Sequence, residues 1–291
     1  MNEYISSIVR YHLGRLGAGV EADRAERAKL YLLDCVGCML ASRQDCRKEL
    51  AFIAAMSPTE ECTVPGTGLR LSMPLAAFAG SVLASAQELD DATSVGASVH
   101  PGCCVIPAAL AAAERYGSSA DEFLGTILFG YDLCNRLGLL ATAKNTRIGP
   151  LRPGGHRGAK RCGRRRRVDG PDGGESGKRH FHRPFNVADV PVFRVHRWRG
   201  RQGPICGIGE HILACWAAQL ARGGFSGPED VLDGEKSLGS IFSSGKGRDV
   251  PPGDSRYELA VQFKKYSGCL SVHATMEAIA ALRAGTPFTD T

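Results

Sequence analysis

Residues 86–116, AQELDDATSVGASVHPGCCVIPAALAAAERY, hold the densest chemistry in the chain. Glu88, Asp90 and Asp91 cluster ahead of a polar loop, and His100 opens a His-Pro-Gly turn before an Ala-rich helix. Carboxylates this close raise one another's pKa, which keeps one carboxyl protonated near neutral pH, and an imidazole titrates in the same range. Such a loop can hold an acid and a base facing one small molecule. If the preceding helix runs on through the acids, Glu88 and Asp91 share a face with Asp90 turned aside. The competing reading is an ordinary solvated helix end.

A second group lies in FKKYSGCLSVHATMEAI, where Lys264, Lys265 and Cys269 precede a helix expected to begin near Ser271, with His273 in its first turn. Lysines beside unpaired helix amides suit a carboxylate-bearing ligand; the alternative is a solvated lysine pair next to a core helix. The eleven cysteines have no recurring spacing. Cys35 and Cys38 form a C-x-x-C, but no second pair at zinc-ligand spacing accompanies it, so the thiols read as reduced and buried. No metal and no cofactor are expected.

The elements that must position these residues are mostly helical. Ile5, Ile8, Val9, Leu13 and Leu16 recur near helical spacing, and Ala25, Ala28, Leu30, Leu33 and Val36 repeat the pattern over 22–41. Three prolines and two glycines make 57–74 an irregular crossing or a short hairpin. Pro74 suits the first turn of a helix that delivers the acids, and Pro107 that of a second helix closed by Gly117. Ser118 or Ser119, with Asp121 and Glu122, starts a third. Ile212, Leu213, Trp216 and Leu220 form an apolar stripe on a helix ended by Gly223 and Gly224, and an extended piece precedes Lys264.

The net charge is +6, but residues 147–201 hold 14 Arg and 2 Lys against 4 acids, a balance of +12, so the remainder carries −6. From Arg152 to Gln202 there is no Leu, Ile, Met or Tyr. A segment so poor in apolar side chains cannot offset its ordering cost and reads as disordered. Its Arg164–Arg167 run would bind nucleic acid only nonspecifically. His156, His180, His182 and His196 lack partners at ligand spacing. With no run of roughly 18 apolar residues and no charged head before an apolar block, a soluble, cytoplasmic protein without a membrane partner is expected.

Taken in order, these blocks resemble the MmgE/PrpD family, which includes 2-methylcitrate dehydratase and cis-aconitate decarboxylase. The resemblance is carried by AERAKLYLLDCVGCMLAS, by MPLAAFAGSVLASAQELDDATSVGASVHPGCCVIPAALAAAERYG, by FLGTILFGYDLCNRLG, by ILACWAAQLARGGFSGPEDVLDG and by FKKYSGCLSVHATMEAI. It covers about residues 1–146 and 207–285. It implies a mainly α fold: a helical large domain, with the family's small α/β domain largely missing here. It also implies a homodimer and metal-free lyase chemistry on di- or tricarboxylic acids. On the matching positions, Asp90, Asp91, His100 and Glu88 are the expected catalytic residues, and Lys264, Lys265, Cys269 and His273 the expected substrate-binding ones. Glu88 stands where an aspartate is usual, and Ser85 where a histidine is common.

Two departures set expectations of their own. Residues 147–206 replace family-like helices with the Arg/Gly-rich tract, which is read as out-of-frame translation: CGC arginine codons become GCC alanine in a neighbouring frame. Residues 286–291 are read as the truncated start of the small domain. The expected organisation is therefore a helical domain over 1–146, the tract over 147–206, the helical domain continued over 207–285, and the remnant over 286–291. The expected function is a 2-methylcitrate dehydratase-like hydro-lyase with impaired activity, or a cis-aconitate decarboxylase-like enzyme. A non-catalytic helical scaffold with an Arg-rich nucleic-acid-binding segment is the alternative from another class.

Overall fold

A computed structural model describes residues 3–16, 19–94, 99–145, 209–227 and 254–285. The Arg/Gly-rich tract and residues 286–291 lie outside them. In chain order the elements are α1 (Glu3–Leu16), α2 (Ala22–Ser42), α3 (Arg47–Ala55), β1 (Cys62–Thr63), β2 (Arg70–Leu71), α4 (Met73–Ser85), β3 (Ala92–Thr93), α5 (Pro101–Tyr116), α6 (Ala120–Asn145) and α7 (Gly209–Arg222). They are followed by the single turn α8 (Ser255–Glu258), β4 (Val261–Gln262), a 3₁₀ turn (Leu270–Val272) and α9 (His273–Gly285). The fold is mainly α. Among the described residues no helix is long and apolar enough to cross a membrane.

Helix α4 is the hub. Every residue from Met73 to Ser85 except Phe78 is buried, and the helix packs against α2, α5 and α7. Small side chains allow that approach: a Cβ on Gly80 would lie 2.9 Å from Cβ of Pro107 on α5, closer than side-chain carbons tolerate. Pro107 is thus inside α5, which begins at Pro101, six residues earlier than the Ala-rich composition suggests. The prolyl ring gives up one helical amide and packs on the Gly80 face instead. Gly117 closes α5 as expected, with φ 68° and its amide on the Ala113 carbonyl at 2.8 Å.

The start of α6 is a reciprocal cap. Ser119 Oγ accepts the Glu122 amide at 3.3 Å, and the Glu122 carboxylate accepts the Ser119 amide at 2.8 Å. The 57–74 crossing is a short antiparallel hairpin, Cys62 opposite Leu71 and Thr63 opposite Arg70.

Two apolar stripes are placed differently from their sequence pattern. On α2 the buried face is Arg24, Ala28, Tyr31, Cys35, Cys38, Met39 and Ser42, while Leu30 and Leu33 are 45% and 69% exposed. Tyr31 and the thiols fill the space against α4, α5 and α6, so the leucines face outward. On α7, Cys215 is buried, whereas Trp216 and Leu220 are about half exposed. The Cys35 and Cys38 thiols are buried, and burial pushes both up, Cys38 to about 12.

Antiparallel pairing of β3 with β4 matters most for the site. Ala92 lies opposite Gln262 and Thr93 opposite Val261. The Ser94 amide reaches the Ala260 carbonyl at 2.7 Å, and Thr93 Oγ1 donates to the same oxygen at 3.1 Å. Through this pairing the acidic loop and the Lys264 block meet across the chain.

Candidate functional site

The acidic cluster is not helical. Helix α4 ends at Ser85, and Glu88 has φ 50°, the left-handed region. Glu88 and Asp91 therefore do not share a helix face. A non-glycine residue held there costs about 1–2 kcal/mol relative to the right-handed form. Surrounding contacts offset this: the Glu88 carbonyl accepts Lys264 Nζ at 2.9 Å and the Gly268 amide at 3.0 Å. Glu88 enters the cluster through its main chain.

Asp90 is the centre. Its carboxylate is buried, with Oδ2 3.1 Å from His100 Nδ1 and Oδ1 3.5 Å from Lys264 Nζ. Burial alone would raise its pKa. The hydrogen bond and charge of His100, with the Lys264 ammonium, outweigh that and hold the carboxyl below the usual range. The reciprocal effect raises His100, chiefly through Asp90, against burial and the Lys264 charge.

The ring of His100 is fixed by two acceptors. Nδ1 lies 2.7 Å from the Asp91 carbonyl as well as 3.1 Å from Asp90 Oδ2. Neither oxygen can donate, so in the neutral ring the proton sits on Nδ1 and Nε2 carries the lone pair. With 44% of the side chain exposed, the imidazole remains open to an incoming molecule.

Asp91 has a different setting. It is 1% exposed; Oδ1 accepts the Gly102 amide at 2.8 Å and Oδ2 the Tyr131 hydroxyl at 2.7 Å. Its carboxylate holds the first turn of α5 and its carbonyl orients His100. Burial, reinforced by the charges of Asp34 and Asp90, pushes its pKa up to about 6 despite both hydrogen bonds. Gly102 is required by this contact, since a Cβ there would fall 2.8 Å from Asp91 Oδ1.

Behind Asp91 the support continues into the core. Tyr131 stacks on Tyr31 with centroids 4.2 Å apart and planes 3° from parallel. The Tyr31 hydroxyl donates to the Glu258 carbonyl at 3.0 Å, and Arg24 grips the Glu258 carboxylate with two bonds of 2.8 Å. Helices α2 and α6 thereby anchor the α8–β4 segment that carries Lys264.

The remaining expected residues lie around this centre, not in it. Lys265 is 69% exposed and donates to Glu277 Oε1 at 2.9 Å. Cys269 is exposed, its Sγ 3.0 Å from Ser271 Oγ; that contact and the Ser271 amide hold the thiol below its ordinary value. His273 meets the edge of Tyr266 at 5.6 Å, and its buried Nε2 has no hydrogen-bond partner among the described residues. Ser85, in the position where the family often has histidine, donates to the Ser81 carbonyl at 2.8 Å.

Two groups escaped the sequence reading. Asp34 on α2 is partly exposed and within electrostatic reach of Asp90 and Lys264; burial and the Asp90 charge push it up to about 6. A lone carboxylate in the apolar run LYLLDCVGC was its signal. Tyr131, in FLGTILFGYDLC, had none, since a buried tyrosine in a helix is usually core.

No curated protein matches the chain. Residues 13–151 match the MmgE/PrpD N-terminal domain family. That span contains α2 through α6, and with them Asp34, Asp90, Asp91, His100 and Tyr131. The chain thus carries an MmgE/PrpD N-terminal domain over residues 13–151.

Proposed function

We propose that the Asp90–His100–Lys264 cluster is a lyase site for a small di- or tricarboxylic acid, acting as a hydro-lyase of the 2-methylcitrate dehydratase kind. The MmgE/PrpD N-terminal domain supports a lyase-like function at the level of the family. The single observation that carries the finer reading is the imidazole of His100, held at Nδ1 by two acceptors with its ring open to solvent.

Elimination of water beside a carboxylate needs a base for the carbon proton, an acid for the leaving hydroxyl and cations for the carboxylates. Neutral His100 takes the carbon proton on Nε2, and Asp90 stabilises the imidazolium that forms. The C–H electron pair becomes the new double bond as the C–O bond breaks, and the hydroxyl leaves as water with a proton from the cluster. Asp34, with its pKa near 6, is the second proton group. Lys264 spends one donor on the Glu88 carbonyl and forms an ion pair with Asp90, and its positive charge favours a carboxylate nearby.

The test is turnover by the 291-residue chain of 2-methylcitrate, citrate and cis-aconitate, read as alkene absorbance and as carbon dioxide release. Alkene formed from a hydroxy acid and abolished by His100→Ala is the expected result. Carbon dioxide release from cis-aconitate instead would assign decarboxylation. No turnover of any of the three would overturn the lyase reading for this chain.

A further inference from the structure

The acidic loop contains one oddity that the proton-transfer scheme does not use: Glu88 is the sole non-glycine with positive φ among the described residues. Its carbonyl oxygen has both lone pairs engaged, by Lys264 Nζ at 2.9 Å and by the Gly268 amide at 3.0 Å. Its own amide closes the turn after α4 on the Ser85 carbonyl at 3.0 Å. The backbone of one residue therefore fastens the Lys264–Gly268 loop to the end of the hub helix.

The fastening sets a charge. Lys264 Nζ, held by the Glu88 carbonyl, stands 3.5 Å from Asp90 Oδ1, and Asp90 Oδ2 stands 3.1 Å from His100 Nδ1. Only 2% of the Lys264 side chain is exposed. If residue 88 relaxed to a right-handed conformation, its carbonyl would turn elsewhere and the ammonium would lose its principal acceptor. We propose that Glu88 is a positioning residue that works through its backbone: its left-handed conformation docks the Lys264–Gly268 loop and so places the Lys264 charge against Asp90. The side chain matters through the conformation it permits. Glycine and asparagine, which adopt this region readily, should serve in its place, and a β-branched residue should not.

The inference rests on reading Asp90, His100 and Lys264 as the reacting cluster, but it can be tested without a substrate, so the two can fail separately. The full chain is prepared with Glu88→Gly, Glu88→Asn, Glu88→Gln and Glu88→Val, and a melt establishes that each folds. Acetylation of Lys264 by an amine-reactive ester is timed by peptide mass spectrometry, and the His100 midpoint is read from its ring-proton NMR titration. The groups facing His100 are Asp90, Lys264 and the Asp91 carbonyl. Gly, Asn and Gln are expected to protect Lys264 at least as well as Glu. Val should raise its labelling about 5- to 30-fold, the range that one to two kilocalories of conformational preference gives. Val should also move the His100 midpoint upward, because the opposing Lys264 charge withdraws. Where Val fails to fold, Glu88→Ala replaces it, with labelling expected above that of Gly. Equal labelling in Gly and in Val or Ala overturns the proposal, as does loss of protection in Gln, which would assign the role to the carboxylate.

Discussion

Lys264 places its ammonium 3.5 Å from Oδ1 of Asp90, and both side chains are at least nine-tenths buried. Removing one member of such a pair leaves the other charge uncompensated in the interior. Asp90→Asn is therefore expected to cost about 3 kcal/mol of folding stability, because the buried Lys264 ammonium keeps only the Glu88 carbonyl, and Lys264→Met less, because Asp90 keeps His100. Urea denaturation of the two variants checks the order.

Asp91 governs an acid-range signature. Its pKa is 3.8 in the ordinary state and about 6 when folded. A carboxyl raised by folding binds its proton more readily in the native state, so stability falls as pH rises from about 4 to 6 and the penalty is constant above that. Asp34 adds in the same direction. Asp90, lowered by folding, contributes stability that is present above the ordinary carboxyl pKa and lost as pH falls through its folded pKa. His100, raised by folding, contributes stability that is lost as pH rises through its folded pKa. Asp91→Asn keeps an acceptor for Gly102 and offers its NH₂ to the Tyr131 oxygen. It should gain on the order of 2 kcal/mol over the parent above pH 6 and flatten the profile below it. Denaturant midpoints between pH 4 and pH 8 measure this.

Tyr131→Phe leaves Asp91 Oδ2 without its donor in a buried place. The expected loss is about 1–3 kcal/mol. The ring stack on Tyr31 survives, so near-ultraviolet circular dichroism should change little while the denaturation midpoint drops.

Much of the framework was legible, for reasons specific to each element. The Ser119/Glu122 cap and the Gly117 stop follow from side chains that bond local backbone or permit positive φ, and both are read directly from residue type. The convergence of Asp90 with Lys264 was less legible, because it depends on β3 and β4, strands of two residues each, too short to show period-two alternation. Whether the helix runs on through Glu88 is open in the sequence, and the residue's left-handed turn answers to a partner 176 residues away. The placement of Pro107 inside α5 likewise depends on Gly80 across the helix interface.

That interface gives a coupled prediction. Gly80→Ala puts a methyl 2.9 Å from Cβ of Pro107 and should destabilise by about 1–3 kcal/mol. The clash is with the Pro107 ring, so Gly80→Ala made in a Pro107→Ala background should cost measurably less. A double-mutant cycle by thermal melting reads the coupling.

Proton abstraction by His100 depends on which of its ring nitrogens is free. A long-range proton–nitrogen correlation spectrum of the ring, recorded above its titration midpoint, decides this directly. The arrangement of Asp90 Oδ2 and the Asp91 carbonyl around Nδ1 predicts a proton on Nδ1 and an unprotonated Nε2. A neutral ring protonated at Nε2 would contradict it.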